Sequence, residues 1–112
     1  MNRGEVWRVR LPFARGHVQA GERPAVVLQN DRANLVLTTA LIVPFTSSMT
    51  ATQFTGTTVV QPDGTNWLTL PSVALVFQLT AVDKRFFLSV LGVLDAKDLA
   101  AILAVLQKLT GP

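Results

Sequence analysis

The sequence of 112 residues has no cysteine and a single histidine, His17. The missing cysteines exclude disulfides and thiolate metal sites and fit a reducing compartment. Charge is also scarce: 15% of residues are charged against 49% hydrophobic. That balance describes a globular chain rather than a disordered one. It leaves little polar surface, which suits either a buried self-interface or a large core. No apolar run reaches the roughly eighteen residues needed to span a bilayer. The opening MNRGEVWR lacks the apolar stretch of a signal peptide. These features point to a soluble cytoplasmic protein with no membrane partner. The length fits a single domain over residues 1–112.

Other absences narrow the chemistry. One histidine and seven dispersed acids make a poor supply of metal ligands, so no metal-dependent enzyme is expected. There is no G-x-x-x-x-G-K-[ST] loop and no G-x-G-x-x-G turn, so no nucleotide cofactor is expected. No G-x-S-x-G elbow supports a serine triad around His17. Catalysis, if present, falls to Arg, His, Thr, Ser, Glu or Gln.

The charge that is present is unevenly placed. Residues 1–32 hold six arginines against Glu5, Glu22 and Asp31, whereas residues 33–82 hold no Lys or Arg and only Asp63. Arginine presents a planar fork that matches phosphate, and a basic region is the electrostatic footprint of a nucleic-acid binder. A solubilising surface is the plainer reading of the same pattern.

Hydrophobic patterning predicts five to seven short strands and one helix. EVWRVRL, RPAVVLQN, TTALIVPF, TTVVQP, SVALVFQLT and FFLSVLGVL read as strands. TTALIVPF is apolar enough to be buried on both faces. DRANL reads as a turn or one helical turn, and DGTN as a hairpin signal. Asp95 caps a helix to about Lys108, with Leu99, Ile102, Leu103, Leu106 and Leu109 at helical spacing. Without strand–helix–strand alternation a parallel sheet is not expected. The prediction is a mainly β fold: a bent antiparallel sheet or small barrel with the C-terminal helix packed on it.

This residue set suits RNA cleavage, because RNA supplies its own nucleophile, the 2′-OH. The protein need only align it, move protons and stabilise the charged phosphorane. Two loops could converge for this. One enters the second strand and carries Arg15, His17, Gln19 and Arg23. The other follows the third strand and carries Thr46, Ser47 and Ser48. If those strands are antiparallel neighbours, Arg23 and Thr46 lie at the same sheet end. Phe54, in a polar loop, is a candidate platform for an unpaired base. Trp7 reads as core or interface packing, and Glu5 as a structural acid paired with an arginine. Lys84 and Arg85 read as surface charge.

RGEVWRVRL, GHVQAGERPAVVLQNDRAN, LIVPFTSS and LGVLDAKDLAAI, in that order, resemble the MazF/PemK toxins of bacterial toxin–antitoxin systems over essentially the whole chain. Each fragment alone is a weak signal; their combination is fairly specific. The resemblance implies an SH3-like barrel that forms a homodimer. It implies a metal-independent endoribonuclease that cuts single-stranded RNA, including mRNA, within a short sequence and leaves a 2′,3′-cyclic phosphate and a 5′-OH. It also implies an antitoxin partner whose tail occupies the RNA groove. The catalytic pair falls on Arg23 and Thr46, with His17 as an assisting group. Arg15, Gln19, Ser47, Ser48, Phe54 and Gln78 become RNA contacts. One departure stands out. A subgroup with this fold carries Arg-x-Asp-Gln on a later strand, where this chain has LVFQ, so only Gln78 is kept and Phe77 replaces the acid. The alternative is a non-catalytic protein of the same fold, either a gyrase-directed poison like CcdB or an antitoxin-binding copy.

Overall fold

In the computed structural model, which describes residues 1–11 and 21–111, the apolar runs pair edge to edge in one antiparallel sheet. Among the described residues there are seven strands: β1 (Glu5–Leu11), β2 (Gly21–Val27), β3 (Thr39–Thr46), β4 (Thr57–Val60), β5 (Ser72–Leu75), β6 (Thr80–Asp83) and β7 (Phe87–Val93). A short helix α1 (Asp31–Val36) links β2 to β3, and α2 (Ala96–Thr110) closes the chain. The strand order is β4-β5-β3-β2-β1-β7, with β6 beside the first half of β3. The mainly β fold with a C-terminal helix is therefore as expected. The sheet is not closed into a barrel, however: β4 and β7 are its two ends.

Period-two alternation sorts the side chains to two faces. Val6 of β1, Val26 of β2, and Val43 and Phe45 of β3 join one cluster, which α2 covers with buried Ile102 and with Leu99, Leu103 and Leu106. Removing a side chain such as Ile102 costs about 2–5 kcal/mol where the site cannot collapse. The opposite face gathers Val9, Leu11, Ala25, Val27, Ile42 and Val82 into a second cluster. Asp95 starts α2 as read from the sequence, its Oδ1 accepting from the Asp98 amide at 2.8 Å. Leu109, at the end of the apolar stripe, stays 40% exposed. The burial expected of β3 holds for Ala40 and Ile42–Phe45, while Leu41 faces out.

Three sequence readings need correction. SVALVFQLT is not one strand. β5 pairs Val73 and Ala74 with Thr46 and Phe45, a 3-10 turn occupies Val76–Gln78, and β6 then pairs Thr80 with Ile42. The interruption lies beside Pro44, which has no amide hydrogen to give a ladder. DGTN does lie between two paired strands, β4 and β5, but as part of a long connection over residues 61–71 rather than a tight turn. Finally, Glu5 pairs with no arginine among the described residues. Its Oε1 accepts from the Trp7 indole Nε1 at 2.9 Å and from the Asn2 amide at 2.9 Å.

The QNDRAN stretch fixes how β2 meets β3. Asn30 caps α1, its Oδ1 accepting from the Ala33 amide at 2.8 Å. Gln29 and Asn34 are both buried. Gln29 Nε2 donates to Asn34 Oδ1 at 2.9 Å and to the Thr39 carbonyl at 2.8 Å, and Asn34 Nδ2 donates back to the Gln29 carbonyl at 2.9 Å. Buried amides satisfied in this way specify one geometry for the connection. Lys84 adds a bond from its ammonium to the Asn34 carbonyl.

Candidate functional site

The β2–β3 register pairs Ala25 with Pro44, Val26 with Val43 and Val27 with Ile42. Continued two residues toward the sheet end, it sets Arg23 opposite Thr46. Both then fall on the face of the second cluster, since Arg23 precedes Ala25 by two and Thr46 follows Ile42 by four. The two strands thus deliver the guanidinium and the hydroxyl to one place, as the sequence predicted.

Two cavities meet there. The first, about 320 Å³, is lined by Arg23, Thr46, Ser48, Phe54, Phe77 and Gln78, among others. The second, about 560 Å³, shares Arg23 and Thr46 and adds Arg8, Ser47, Trp67 and Leu70. Ser47 and Ser48, adjacent in the chain, therefore serve different cavities. The interruption between β5 and β6 explains why Phe77 and Gln78 reach the first cavity. A segment displaced from its ladder is aimed away from the sheet, a device common beside functional sites.

Arg23 is half-buried, and its Nη1 lies 3.5 Å from the Phe45 carbonyl, at the outer limit of a hydrogen bond. Among the described residues no carboxylate forms an ion pair with it; Glu22, its neighbour, pairs with Arg10 at 3.7 Å. Most of the guanidinium's donors thus remain for a ligand. Thr46 Oγ1 accepts from the Ser48 amide at 3.2 Å, and Ser48 Oγ lies 2.9 Å from Thr50 Oγ1. The bond from Ser48 leaves the Thr46 hydroxyl proton available to donate. An arginine and a hydroxyl at one point make a seat for a phosphate; Glu22 also lines the second cavity, but its carboxylate is drawn to Arg10.

The remaining candidates divide. Phe54, Ser48 and Gln78 line the first cavity, with Gln78 buried and Phe54 partly exposed. Phe54 is not an isolated platform: its ring lies 5.8 Å from that of Phe77, tilted by 51°. Phe77 is held in turn beside Gly56, where an added Cβ would come within 3.1 Å of the Phe77 Cβ. Phe77, the position where the resemblance leads one to expect an acid, thus makes an aromatic contact with Phe54. Arg15, His17 and Gln19 lie outside the described residues. Trp7 packs edge-on against Phe87 at 5.8 Å. Sequence reading passed over Trp67, which stands 69% exposed at the second cavity; its only early signal was its place just after DGTN.

The acids are less dispersed than the sequence suggested. Asp63, Asp95 and Asp98 bring carboxylate oxygens within 4.8 Å of one another. They already have structural work: Asp63 Oδ1 accepts from the Thr65 amide and hydroxyl and from the Asn66 amide, each at 2.9 Å, and Asp95 caps α2. Neither cavity includes them.

Comparison with known proteins bears on the family and the fold. A family model described as PemK-like, MazF-like toxin of type II toxin-antitoxin system matches residues 2–110. The endoribonuclease MazF9 of Mycobacterium tuberculosis is 46% identical over 54 residues, covering 44% of this chain and 46% of that protein. The match thus spans about half the length of that relative. Among solved structures, MazF from Deinococcus radiodurans superposes with a TM-score of 0.82 at 25% identity, covering 100% of this chain and 97% of that one. An endoribonuclease in complex with its cognate antitoxin, from a mycobacterial species, superposes with a TM-score of 0.80 at 18% identity, covering 100% of this chain and 97% of that one. With nearly its whole length matched by one family model, the chain belongs to the PemK-like, MazF-like toxins of type II toxin–antitoxin systems.

Proposed function

We propose that this protein is a metal-independent endoribonuclease that cleaves single-stranded RNA at a short recognition sequence. The observation that carries this reading is the juxtaposition of Arg23 and Thr46 where the two cavities meet. Arg23 binds the scissile phosphate and stabilises the charge that grows on the phosphorane. Thr46 donates to a non-bridging oxygen. The 2′-OH attacks in line, its O–P bond forms as the bond to the 5′-oxygen breaks, and the products are a 2′,3′-cyclic phosphate and a 5′-OH. A base takes the 2′-OH proton and an acid donates a proton to the leaving 5′-oxygen; His17 is the proposed proton carrier. Ser47, Ser48, Gln78, Arg15 and Gln19 hold the flanking nucleotides, and Phe54 stacks a base. The toxin acts in the cytoplasm as a homodimer, and the acidic tail of a cognate antitoxin occupies the same groove. The mycobacterial neighbour in complex with its cognate antitoxin supports that partner.

The test is incubation with a long single-stranded RNA in EDTA. Wild type should cleave it, and Arg23→Ala should slow cleavage by roughly 10²–10³, the usual effect of losing one charge-stabilising donor. Intact RNA with the wild type would overturn the activity, and undiminished cleavage by Arg23→Ala would overturn the site.

The contact between Phe77 and Phe54 motivates a second reading, a non-catalytic protein that binds antitoxin or gyrase. It predicts growth arrest, or antitoxin titration, with cellular RNA left whole.

A further inference from the structure

Trp67 combines two unusual properties. It has φ 59°, making it the one non-glycine residue with positive φ among those described, and it is 69% exposed. That conformation costs on the order of 1 kcal/mol in a side-chain-bearing residue and persists only where the surroundings impose it.

The surroundings do impose it. Asp63 fixes the turn through Thr65 and Asn66. Asn66 is fully buried, its Nδ2 donating to the Gln61 carbonyl at 2.9 Å and its Oδ1 accepting from the Leu68 amide at 3.0 Å. Leu68 is buried in the first cluster. The Val93 amide donates to the Thr65 carbonyl at 2.9 Å. Gly92 has no Cβ to obstruct this: one placed there would lie 2.1 Å from the Thr65 oxygen and 2.9 Å from Trp67 Cδ1. Trp67 is thus clamped between two buried neighbours, with most of its indole facing solvent.

The cavity it faces gives the indole a purpose. Arg23 and Thr46, the proposed phosphate seat, line the same cavity; Arg8 adds a second guanidinium, and the one acid there among the described residues, Glu22, pairs with Arg10. Aromatic faces next to arginines are how proteins hold unpaired bases beside their phosphates.

We infer that Trp67 is a stacking platform for an unpaired base of the RNA, next to the phosphate held by Arg23 and Thr46. This rests on the nuclease reading above for the identity of the ligand. The ring holds the base so that the attached backbone crosses the Arg23–Thr46 pair, and a prefixed ring loses little entropy on binding. Trp67 is a binding residue and touches no reacting atom.

Glycine is the informative substitution, because it removes the ring and tolerates the left-handed backbone. The chain has two tryptophans, so Trp67→Phe keeps a stacking ring while leaving only Trp7 to fluoresce. The probe is a single-stranded 2′-O-methyl oligoribonucleotide, which binds but lacks the nucleophile. It should quench wild-type tryptophan emission. Trp67→Phe should bind it with similar affinity and lose the quench. Trp67→Gly should bind at least about tenfold more weakly, as expected for one lost base stack, with an unchanged or raised melting temperature. Equal affinity for Trp67→Gly and wild type would overturn the proposal. So would a Trp67→Gly protein that changes its oligomeric state and keeps its affinity, because the ring would then belong to a protein interface. Quenching by the probe in a protein that cleaves no RNA would retain the platform and discard the nuclease.

Discussion

At the residue scale the proposed phosphate seat rests on two donors, the Arg23 guanidinium and the Thr46 hydroxyl. Thr46 Oγ1 accepts from the Ser48 amide, so its proton is directed elsewhere. Thr46→Ser should therefore keep most cleavage, whereas Thr46→Val should lower it by about 10²-fold, as loss of a preorganised donor does. Cleavage rates under single-turnover conditions distinguish the two, and near-identical melting curves would confirm an intact fold. Arg23→Lys tests whether the fork matters or only the charge. A lysine offers a point charge in place of paired N–H groups, so activity should fall well below wild type despite the retained cation. Arg23 and Thr46 were legible in the sequence because a motif and a strand-pairing argument agreed on them. Trp67 was not, because its left-handed backbone depends on how the turn held by Asp63 and Asn66 packs against Gly92, which is distant in sequence.

At the element scale the connection from β2 to β3 is the piece that sets the geometry. Replacing Asn34 with leucine keeps the volume roughly but leaves the Gln29 side chain short of a buried partner. The expected cost is about 1–3 kcal/mol, measurable by urea denaturation, with a loss of RNA cleavage even where the protein remains folded. The start of α2 carries a pH signature. Burial, followed by repulsion from Asp95 and Asp63, raises the Asp98 carboxyl above its ordinary value. The folded state then holds this proton more tightly than the unfolded chain, so stability falls as pH rises from about 3.8 through the raised value. Asp63 runs the other way: hydrogen bonds from Thr65 lower it, so its contribution is present above 3.8 and is lost as pH falls below that. Asp98→Asn should abolish the first trend and keep the second, which melting temperatures across the acid range would show. The Asp95 cap and the apolar stripe of α2 were readable from spacing alone. The break between β5 and β6 was not, because it depends on how the run beside Pro44 meets a partner strand far away in sequence.

At the scale of the whole molecule, the net charge of +3 is modest, yet Arg8 and Arg23 share one cavity. Binding of single-stranded RNA should weaken steeply with added salt as counterions are released; a flat salt dependence in a binding titration would remove the phosphate-seat interpretation. The exposed Leu88, Val90 and Val93 of β7, together with Leu35 and Val36 of α1, leave apolar surface that fits the proposed homodimer. Sedimentation should give twice the mass of 12.1 kDa. The antiparallel sheet and its packed helix were legible because they follow from local periodicity; the open edge was not, since closure depends on the twist and lengths of all strands together. The β2–β3 register has one more consequence, which concerns chain length. A residue added or removed between Gln29 and Thr39 shifts the pairing by one step and turns Arg23 away from Thr46. Variants that change the length of residues 47–56 leave that pairing alone. Random insertion followed by selection for growth arrest should therefore recover no length change in 29–39, whereas length changes in 47–56 weaken arrest only through Ser47, Ser48 and Phe54.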